Sequence, residues 1–355
     1  MWEIVRKDAI NALENRVVKK TIPKYVEKVK NKVLSNFQIA KRIGVDFDES
    51  FSLKKLWKIH EESLETFYQE KNFIKESDKI NGKNLLDLKI SIANKILESC
   101  TLCEWKCRVN RKKGQLGVCK VDDKIWVSSE FVHIGEESYF VPSHTIFFWS
   151  CNMYCVFCQN YTISHRLESG IEIEPNVLAR IIEKRRESGT RNLNLVGGEP
   201  TMYLKGILEI LKNVKCNVPV IWNSNMYMSE DSMKLLDGIV DVYLGDFKFG
   251  NDDCASKYTK VKNYWRTVTR NFLIGKNHAE IVIRHLVMPN HVECCSFKIL
   301  EWISENLENA LINIMDQYTP YWKAKDFEEI NRTVTHKEFD TVIEKALELG
   351  LNVKG

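Results

Sequence analysis

Hydrophobic residues in the first hundred positions recur at helical spacing. Stretches such as Leu53-Leu56-Trp57-Ile59-Leu64-Phe67 place apolar side chains mostly three and four residues apart, with charged residues between them. Pro23 interrupts the first such segment, and Gly82 lies in a polar connection. The pattern predicts an accessory helical region over residues 1–98 that packs on the rest of the chain. A docking surface for a partner is the functional alternative for this region.

Strand-like and helix-like segments alternate from residue 145 onward. Apolar runs of strand length occupy residues 145–149, 193–196, 219–222, 240–245, 280–287 and 311–315. Amphipathic helical patterns lie between them, including residues 176–188, 204–213, 231–236 and 296–306. Such alternation predicts βαβ units and a parallel sheet, in which functional residues gather at the carboxyl ends of the strands. A further strand is predicted over residues 124–129, before this region.

Composition and charge favour a metal or redox protein over a nucleic-acid or membrane partner. The 52 basic and 48 acidic residues nearly balance, and the net charge of +4 gives no clear signal for nucleic acid. No apolar run is as long as a membrane span, and the first residues lack the apolar core of a signal peptide. We therefore expect a cytoplasmic protein, in which 11 cysteines indicate metal binding before disulfides.

Three cysteines follow the first strand of the alternating region, at the spacing C-x3-C-x2-C. They are Cys151, Cys155 and Cys158. Three thiolates leave one iron of a [4Fe–4S] cube without a protein ligand, so that iron can bind a small molecule. A zinc site would need a fourth ligand nearby. The polar neighbours Asn152 and Gln159 argue against an ordinary apolar core.

Four more cysteines define a second set within residues 99–140. They are Cys100, Cys103, Cys107 and Cys119, and the turn-forming Gly114 and Gly117 allow the last one to return to the first three. Four thiolates can close a tetrahedral zinc site or ligate every iron of a cluster. Because thiolates suit both metals, zinc and a second iron–sulfur cluster both stay open.

Polar residues also follow the later strands. Gly197-Gly198-Glu199 ends the second strand, and Asn223-Ser224 ends the third. Asp246 and Lys248 are two residues apart after the fourth strand and could form an ion pair. Arg284, within the apolar fifth strand, needs an anionic partner, either a bound carboxylate or an acidic side chain of the protein.

These motifs together resemble the radical S-adenosylmethionine (SAM) superfamily. The match is closer to the PflX-type radical SAM proteins, relatives of the pyruvate formate-lyase activating enzymes, and it covers about residues 100–355. The segments that carry it include Cys155-Val156-Phe157-Cys158-Gln159-Asn160-Tyr161, Asp246-Phe247-Lys248 and Ile283-Arg284-His285-Leu286-Val287-Met288-Pro289. Two positions depart from the family pattern: Ser150 stands where a glycine is usual, and Glu199-Pro200-Thr201-Met202 stands where many members carry Asp-Pro-Thr-Pro.

The resemblance implies an α/β fold, a partial (β/α)6 radical SAM barrel over residues 141–355. It implies that Cys151, Cys155 and Cys158 hold a [4Fe–4S] cluster, and that SAM binds the open iron. Reductive cleavage of SAM would then give a 5′-deoxyadenosyl radical, which takes a hydrogen atom from an unidentified substrate. A reductant such as flavodoxin or ferredoxin is implied as a partner. The residues expected around SAM are Phe157, Gly197, Gly198, Glu199, Asn223, Ser224, Asp246 and Arg284.

Three functions remain open at this point. The first is an activating-type enzyme that acts on the backbone of a protein substrate. The second is a radical SAM enzyme that modifies another macromolecule or a small metabolite, with residues 1–98 as a docking module. The third is a non-catalytic iron–sulfur or zinc scaffold that binds a partner.

Overall fold

The amino-terminal region is helical, as its hydrophobic spacing predicts. The structure is a computed structural model that describes residues 2–78 and 81–354. Its first seven helices are α1 (Trp2–Val5), α2 (Lys7–Ile10), α3 (Arg16–Thr21), α4 (Pro23–Val29), α5 (Asn36–Ala40), α6 (Leu53–Glu70) and α7 (Leu85–Ile96). One hydrophobic core joins side chains of α5 to α7 with the four-cysteine segment and the sheet. The division into domains at residues 98 and 140 therefore stays a prediction.

The centre of the molecule is one nine-stranded sheet in the order β3-β1-β2-β4-β5-β6-β7-β8-β9. The strands are β1 (Trp126–His133), β2 (Ser143–Phe148), β3 (Ile171–Glu172), β4 (Asn192–Gly197), β5 (Val220–Ser224), β6 (Val242–Asp246), β7 (Glu280–Leu286), β8 (Leu311–Met315) and β9 (Asn352–Val353). Strands β2 and β4 to β8 pair in parallel in chain order, which confirms the six predicted barrel strands. Strand β1 is antiparallel to its neighbours β2 and β3.

Helices connect the parallel strands. They are α8 (Tyr161–Ser164), α9 (Pro175–Glu187), α10 (Leu204–Asn213), α11 (Glu230–Leu236), α12 (Asp252–Thr259), α13 (Tyr264–His278), α14 (Lys298–Asn306) and α15 (His336–Glu348). The four predicted helices correspond to α9, α10, α11 and α14. Helix α13 is not among the predicted helices because its Thr267-Val268-Thr269 core is a run of weak helix formers. It packs against β7. The fold is thus the α/β partial barrel that the resemblance implies.

The amino ends of the strands are closed by the first helices. Apolar side chains of residues 12–26, including Val18, Ile22 and Tyr25, pack against Phe140. The same cluster contains one or two inward-facing residues of each strand from β5 to β8, namely Ile221, Val242, Leu244, Val282 and Leu311. Helices α3 and α4 therefore fill the end of the barrel opposite to the predicted site.

Within the part of the chain that the structure describes, no helix combines the length and the apolar character needed to cross a bilayer.

Candidate active site at the carboxyl ends of the strands

A cavity of about 730 Å³ lies at the carboxyl ends of the parallel strands. This volume is within the range of small-molecule sites. Every residue predicted for the three-thiolate cluster and for SAM lines it: Cys151, Cys155, Cys158, Phe157, Gly197, Gly198, Glu199, Asn223, Ser224, Asp246 and Arg284. The sheet therefore brings together residues that are up to 133 positions apart in the sequence, as Cys151 and Arg284 are.

Two of the three cysteines have polar partners at their sulfur atoms. The backbone N–H of Met153 donates to Cys151 Sγ at 3.4 Å, and the Asn225 amide approaches the same sulfur at 3.7 Å. The hydroxyl of Ser164 lies 3.2 Å from Cys158 Sγ. The two donors at Cys151 compensate negative charge on its sulfur, and the hydroxyl of Ser164 also donates to the carbonyl of Asn160 at 2.8 Å. This set of side chains fits a cluster held by three cysteines. Sequence reasoning did not identify Asn225 or Ser164 as partners of the cysteines.

Burial keeps these thiols protonated until metal binds. It raises the pKa of Cys155 to about 12, although the charge of Lys248 acts in the opposite direction. Burial also raises the pKa of Cys151 and of Cys158. Binding of a metal cluster must therefore release protons from the site.

The paired glycines are required by the protein's own backbone. Gly197 has φ +133°, and a Cβ there would lie 2.2 Å from the carbonyl oxygen of Phe148. A Cβ on Gly198 would lie 1.7 Å from the carbonyl oxygen of Ser150. The residues that lead into the cysteine loop thus pass directly against these glycines. The close backbone approach therefore explains why both positions are glycine, without any need for a ligand.

Glu199 joins the ends of two strands. Its carboxylate accepts hydrogen bonds from the Ser224 hydroxyl at 2.8 Å and from the Asn225 N–H at 2.9 Å, as well as from the Thr201 hydroxyl. Burial raises the pKa of Glu199 in spite of these donors. A contact between Glu199 and the amino group of SAM stays a prediction.

Two predicted SAM contacts make partners within the chain. Asp246 forms an ion pair with Lys248, the alternative that the sequence left open. The ring of Phe157 lies 5.7 Å from that of Tyr318 and 6.1 Å from that of Phe249, so it packs in the loop as well as facing the cavity. Asn223 is 5 % exposed and lines the cavity. Direct contacts of these side chains with SAM stay predictions.

Arg284 forms an ion pair that crosses the interior of the barrel. Its Nε donates to Glu137 at 2.6 Å, and its Nη2 donates to both Glu136 and Glu137. Asn313 on β8 also donates to Glu137, at 2.9 Å. Arg284 holds the pKa of Glu137 well below its usual range against the effect of burial. Of the two partners that the sequence allowed for Arg284, the structure contains the acidic side chains.

The four-cysteine segment lies directly beside the three-cysteine loop. The Ser150 hydroxyl donates to the carbonyl of Cys119, and the Trp105 indole donates to the carbonyl of Asn152 at 2.7 Å. The Tyr154 hydroxyl donates to the carbonyl of Val118 at 2.6 Å. Ser150 adopts a left-handed conformation with φ 69°, which explains why a glycine is usual at this position.

Cys100, Cys103, Cys107 and Cys119 surround a small internal cavity. Arg111, 1 % exposed, places Nη1 4.0 Å from Cys100 Sγ, and the Val118 N–H donates to Cys107 Sγ at 3.4 Å. A Cβ on Gly117 would lie 3.0 Å from that same Sγ, so a side chain there would press against Cys107. The buried cation and the N–H donor fit a thiolate-ligated metal centre.

The sulfur atoms of both predicted sets are spread more widely than a single ion requires. A tetrahedral zinc site with Zn–S bonds of about 2.3 Å places its sulfurs roughly 3.8 Å apart. Among residues 2–78 and 81–354, a different group, Cys254, His291 and Cys294, is the one whose ligand atoms all lie within 4.8 Å of one another. In an iron–sulfur cube each thiolate binds a different iron, so the wider spread suits a cluster.

Comparison with known proteins identifies the superfamily. Residues 145–303 match the family model for the radical SAM superfamily. A protein of Methanocaldococcus jannaschii named uncharacterized protein MJ0674 is 45 % identical over 332 residues, which are 92 % of this chain and 96 % of that protein.

Two solved structures show more distant similarity. SuiB of Streptococcus suis bound to S-adenosylmethionine has a TM-score of 0.46 and 13 % identity, over 58 % of this chain. The chain spans about half of SuiB, 48 % of its length. Methylornithine synthase (PylB) has a TM-score of 0.44 and 12 % identity, over 85 % of each chain. The chain belongs to the radical SAM superfamily, and it is a radical SAM enzyme whose cofactors are a [4Fe–4S] cluster and S-adenosylmethionine.

Proposed function

We propose that the chain is an activating-type radical SAM enzyme of the PflX kind, which takes a hydrogen atom from a protein substrate. One observation carries the assignment of its site: every residue predicted for the cluster and for SAM lines the same cavity of about 730 Å³. The motifs at Asp246-Phe247-Lys248 and Ile283–Pro289 support the PflX kind. A radical enzyme that modifies a small metabolite is the alternative that the substrate test must address.

The residues of the chain would bind, orient and shield the cofactors. When bound, the cluster and SAM together supply a 5′-deoxyadenosyl radical. Cys151, Cys155 and Cys158 would hold three irons, and the burial of Cys151 and Cys155 would keep water away from the cluster. Glu199 and Asn223 would orient the methionine end of SAM, and Phe157 would cover the adenine. The Arg284–Glu137 pair closes the interior below this site, so a substrate would enter from the open mouth of the barrel.

We further propose that Cys100, Cys103, Cys107 and Cys119 hold an iron–sulfur cluster and not zinc. The wide spread of their sulfurs and the buried Arg111 beside Cys100 support this choice. The direct hydrogen bonds between this segment and the three-cysteine loop make it a suitable relay for electrons.

Radical SAM enzymes need a reductant, and we propose flavodoxin or ferredoxin for this one. The surface around the four cysteines carries exposed basic side chains, namely Lys106, Arg108, Lys112, Lys113 and Lys120. Two of them, Lys106 and Lys112, also pair with Glu104 and Glu98. A positive surface of this kind favours an acidic protein partner, since complementary charge steers encounter. Replacing Lys112 and Lys113 with Glu should slow reduction by such a donor while leaving reduction by dithionite unchanged.

A Cys155→Ala variant tests the assignment of the cluster. It should lose the visible absorption of the three-cysteine cluster and all SAM cleavage, because one iron then lacks its ligand. Cys216→Ala is the matched control, since Cys216 lies outside both predicted sets and should keep both properties. A Cys155→Ala protein that retains both properties would contradict the assignment.

Iron counting tests the second cluster. The anaerobically reconstituted protein should hold about eight irons per chain, and Cys103→Ala should hold about four and still cleave SAM slowly with dithionite. About four irons in the wild type, together with zinc that is lost in Cys103→Ala, would establish the zinc alternative.

To address the substrate, candidate proteins and small metabolites would be compared for deuterium transfer into 5′-deoxyadenosine.

A further inference from the structure

A third group of metal-binding side chains lies on the rim of the barrel, outside both predicted sets. Cys254 is in the first turn of α12, while His291 and Cys294 follow β7. Their ligand atoms all lie within 4.8 Å of one another. Cys295 adds a further thiol, with its Sγ 3.9 Å from Cys294 Sγ. These residues are up to 41 positions apart in the sequence, so their spacing gives no motif.

We propose that Cys254, His291 and Cys294 bind a zinc ion, with Cys295 as the nearest candidate for the fourth ligand. Close convergence of nitrogen and sulfur donors fits one tetrahedral ion, whose ligand atoms lie less than about 4 Å apart. It does not fit an iron–sulfur cube, which needs more widely spaced thiolates. Among divalent ions, a Cys/His ligand set of this kind favours zinc.

The histidine is oriented for metal binding. Its Nδ1 lies 2.7 Å from the carbonyl oxygen of Pro289. This hydrogen bond requires the proton on Nδ1, so Nε2 carries the free lone pair. A backbone carbonyl that fixes the tautomer in this way is the usual companion of a zinc-bound histidine. A disulfide between two of the thiols would leave the orientation of His291 unexplained.

The two segments that carry the proposed ligands pack closely against each other. Asn251 accepts a hydrogen bond from the Cys254 N–H at 2.8 Å and donates one to the carbonyl of Cys294 at 2.9 Å. Its amide also approaches Cys295 Sγ at 3.8 Å. A Cβ on Gly250 would lie 2.7 Å from the Cα of Cys295. Cys294 and Cys295 belong to a π-helical turn, Val292–Phe297, a rare form that is frequent at functional sites.

Exposure of the group allows an ion to enter. Cys254 and Cys294 are partly exposed, whereas His291 and Cys295 are buried. The ion would therefore sit at the surface end of the group, with His291 behind it.

Such an ion would brace the loop that holds the catalytic cluster. At the end of α12 opposite to Cys254, the carbonyls of Tyr258 and Thr259 accept hydrogen bonds from the N–H groups of Val156 and Tyr154, at 2.9 and 3.1 Å. Zinc at the first turn of α12 would join this helix to the segment after β7. The site therefore has a structural role, in which metal at the rim fixes the position of the three-cysteine loop.

Metal analysis of matched variants tests the proposal. Wild type, Cys254→Ser and Cys216→Ser would be purified anaerobically from zinc-supplemented cells, and zinc and iron would be counted in each. Cys254→Ser should hold about one equivalent of zinc less than both other proteins, because a lost thiolate opens the tetrahedral site. Cys216→Ser is the control, since Cys216 is another partly exposed cysteine and lies outside the group. Equal zinc in all three proteins would overturn the proposal.

X-ray absorption at the zinc edge of the wild type tests the site without a variant. The expected spectrum contains a histidine nitrogen shell at about 2.0 Å beside sulfur at about 2.3 Å. This result is expected even if the four-cysteine segment holds a second zinc, since that site contributes sulfur alone. A sulfur-only shell, or wild-type protein without zinc, would overturn the proposal.

Discussion

The two ends of the parallel sheet contain different kinds of side chain. At the carboxyl ends, a cavity is lined by thiols, carboxylates, amides and the guanidinium of Arg284. At the amino ends, helices α3 and α4 pack apolar side chains into the barrel around Phe140 and Tyr25. The comparison shows that the reactive groups and the apolar packing lie at opposite ends of one sheet. Substitutions of the side chains that line the cavity should alter catalysis, whereas substitutions of the apolar side chains at the amino ends should alter the free energy of unfolding.

Polar groups at the two ends also differ in what they contact. At the amino ends, Tyr25 accepts a hydrogen bond from Asn192 at 2.9 Å, and Lys28 pairs with Asp241. These contacts join α4 to the first residue of β4 and to the residue before β6, and they fix the position of α4. At the carboxyl ends, the ion pairs of Lys248 and Arg284 border the cavity.

The largest predicted effect on stability is at the amino ends. Phe140→Ala should lower the free energy of unfolding by about 3–5 kcal/mol, since the side chain is fully buried and packs edge-on against Tyr25. The matched control is Phe73→Ala, where the phenylalanine is 79 % exposed, and its effect should stay within about 0.5 kcal/mol. Urea unfolding measures both. Equal losses of unfolding free energy in the two variants would show that the apolar packing at the amino ends does not stabilise the barrel.

Acid should weaken the carboxyl-end region through His285. Its ring is buried between the carbonyl of Phe247 and the hydroxyl of Ser296, each at 2.8 Å, and burial lowers its pKa to about 4. The unfolded imidazole has a pKa of about 6.5, so the unfolded state binds more protons. Stability due to this group is therefore complete above pH 6.5 and is lost as the pH falls toward 4, by about 2 kcal/mol at pH 5.

The matched test of this prediction is the pH dependence of two variants. His285→Gln should reduce the loss of stability between pH 7 and pH 5, whatever its stability at pH 7. The same replacement at the exposed His336 should leave the wild-type loss unchanged. If His285→Gln retained the full loss, other buried histidines would be its source.

The smallest predicted effect concerns Ser150, where the two cysteine segments meet. Ser150→Ala should cost about 1 kcal/mol, because it removes the hydrogen bond to Cys119 and keeps the left-handed conformation. Ser150→Gly removes the same bond but relieves the backbone strain, so its stability should be within about 0.5 kcal/mol of the wild type. Thermal unfolding compares the two variants. An alanine variant more stable than the glycine variant would contradict the expected gain from relieving the left-handed backbone conformation.

Local sequence patterns predicted the sheet and its cavity well, for physical reasons. The barrel strands are short apolar runs, and parallel strands place their carboxyl ends at one edge. Cys151, Glu199, Asn223 and Asp246 could therefore be assigned to one site before their distances were known.

Contacts between distant segments were beyond the sequence. The carboxylates that bind Arg284 come from residues 136 and 137, and apolar periodicity cannot choose between them and a bound carboxylate. Likewise, no spacing in the sequence brings Cys254 and Cys294 together with His291, because their convergence depends on the packing of α12 against the segment after β7. The adjacent pair Cys294-Cys295 was the one local signal of that group.

The most direct test of the account is an anaerobic assay for 5′-deoxyadenosine in three proteins. Wild type, Cys155→Ala and Phe140→Ala would be reconstituted with iron and sulfide, then mixed with SAM and dithionite. The account predicts product from the wild type and from the folded fraction of Phe140→Ala, and none from Cys155→Ala in spite of an intact fold. Product from Cys155→Ala at the wild-type rate, or none from an iron-loaded wild type, would contradict it.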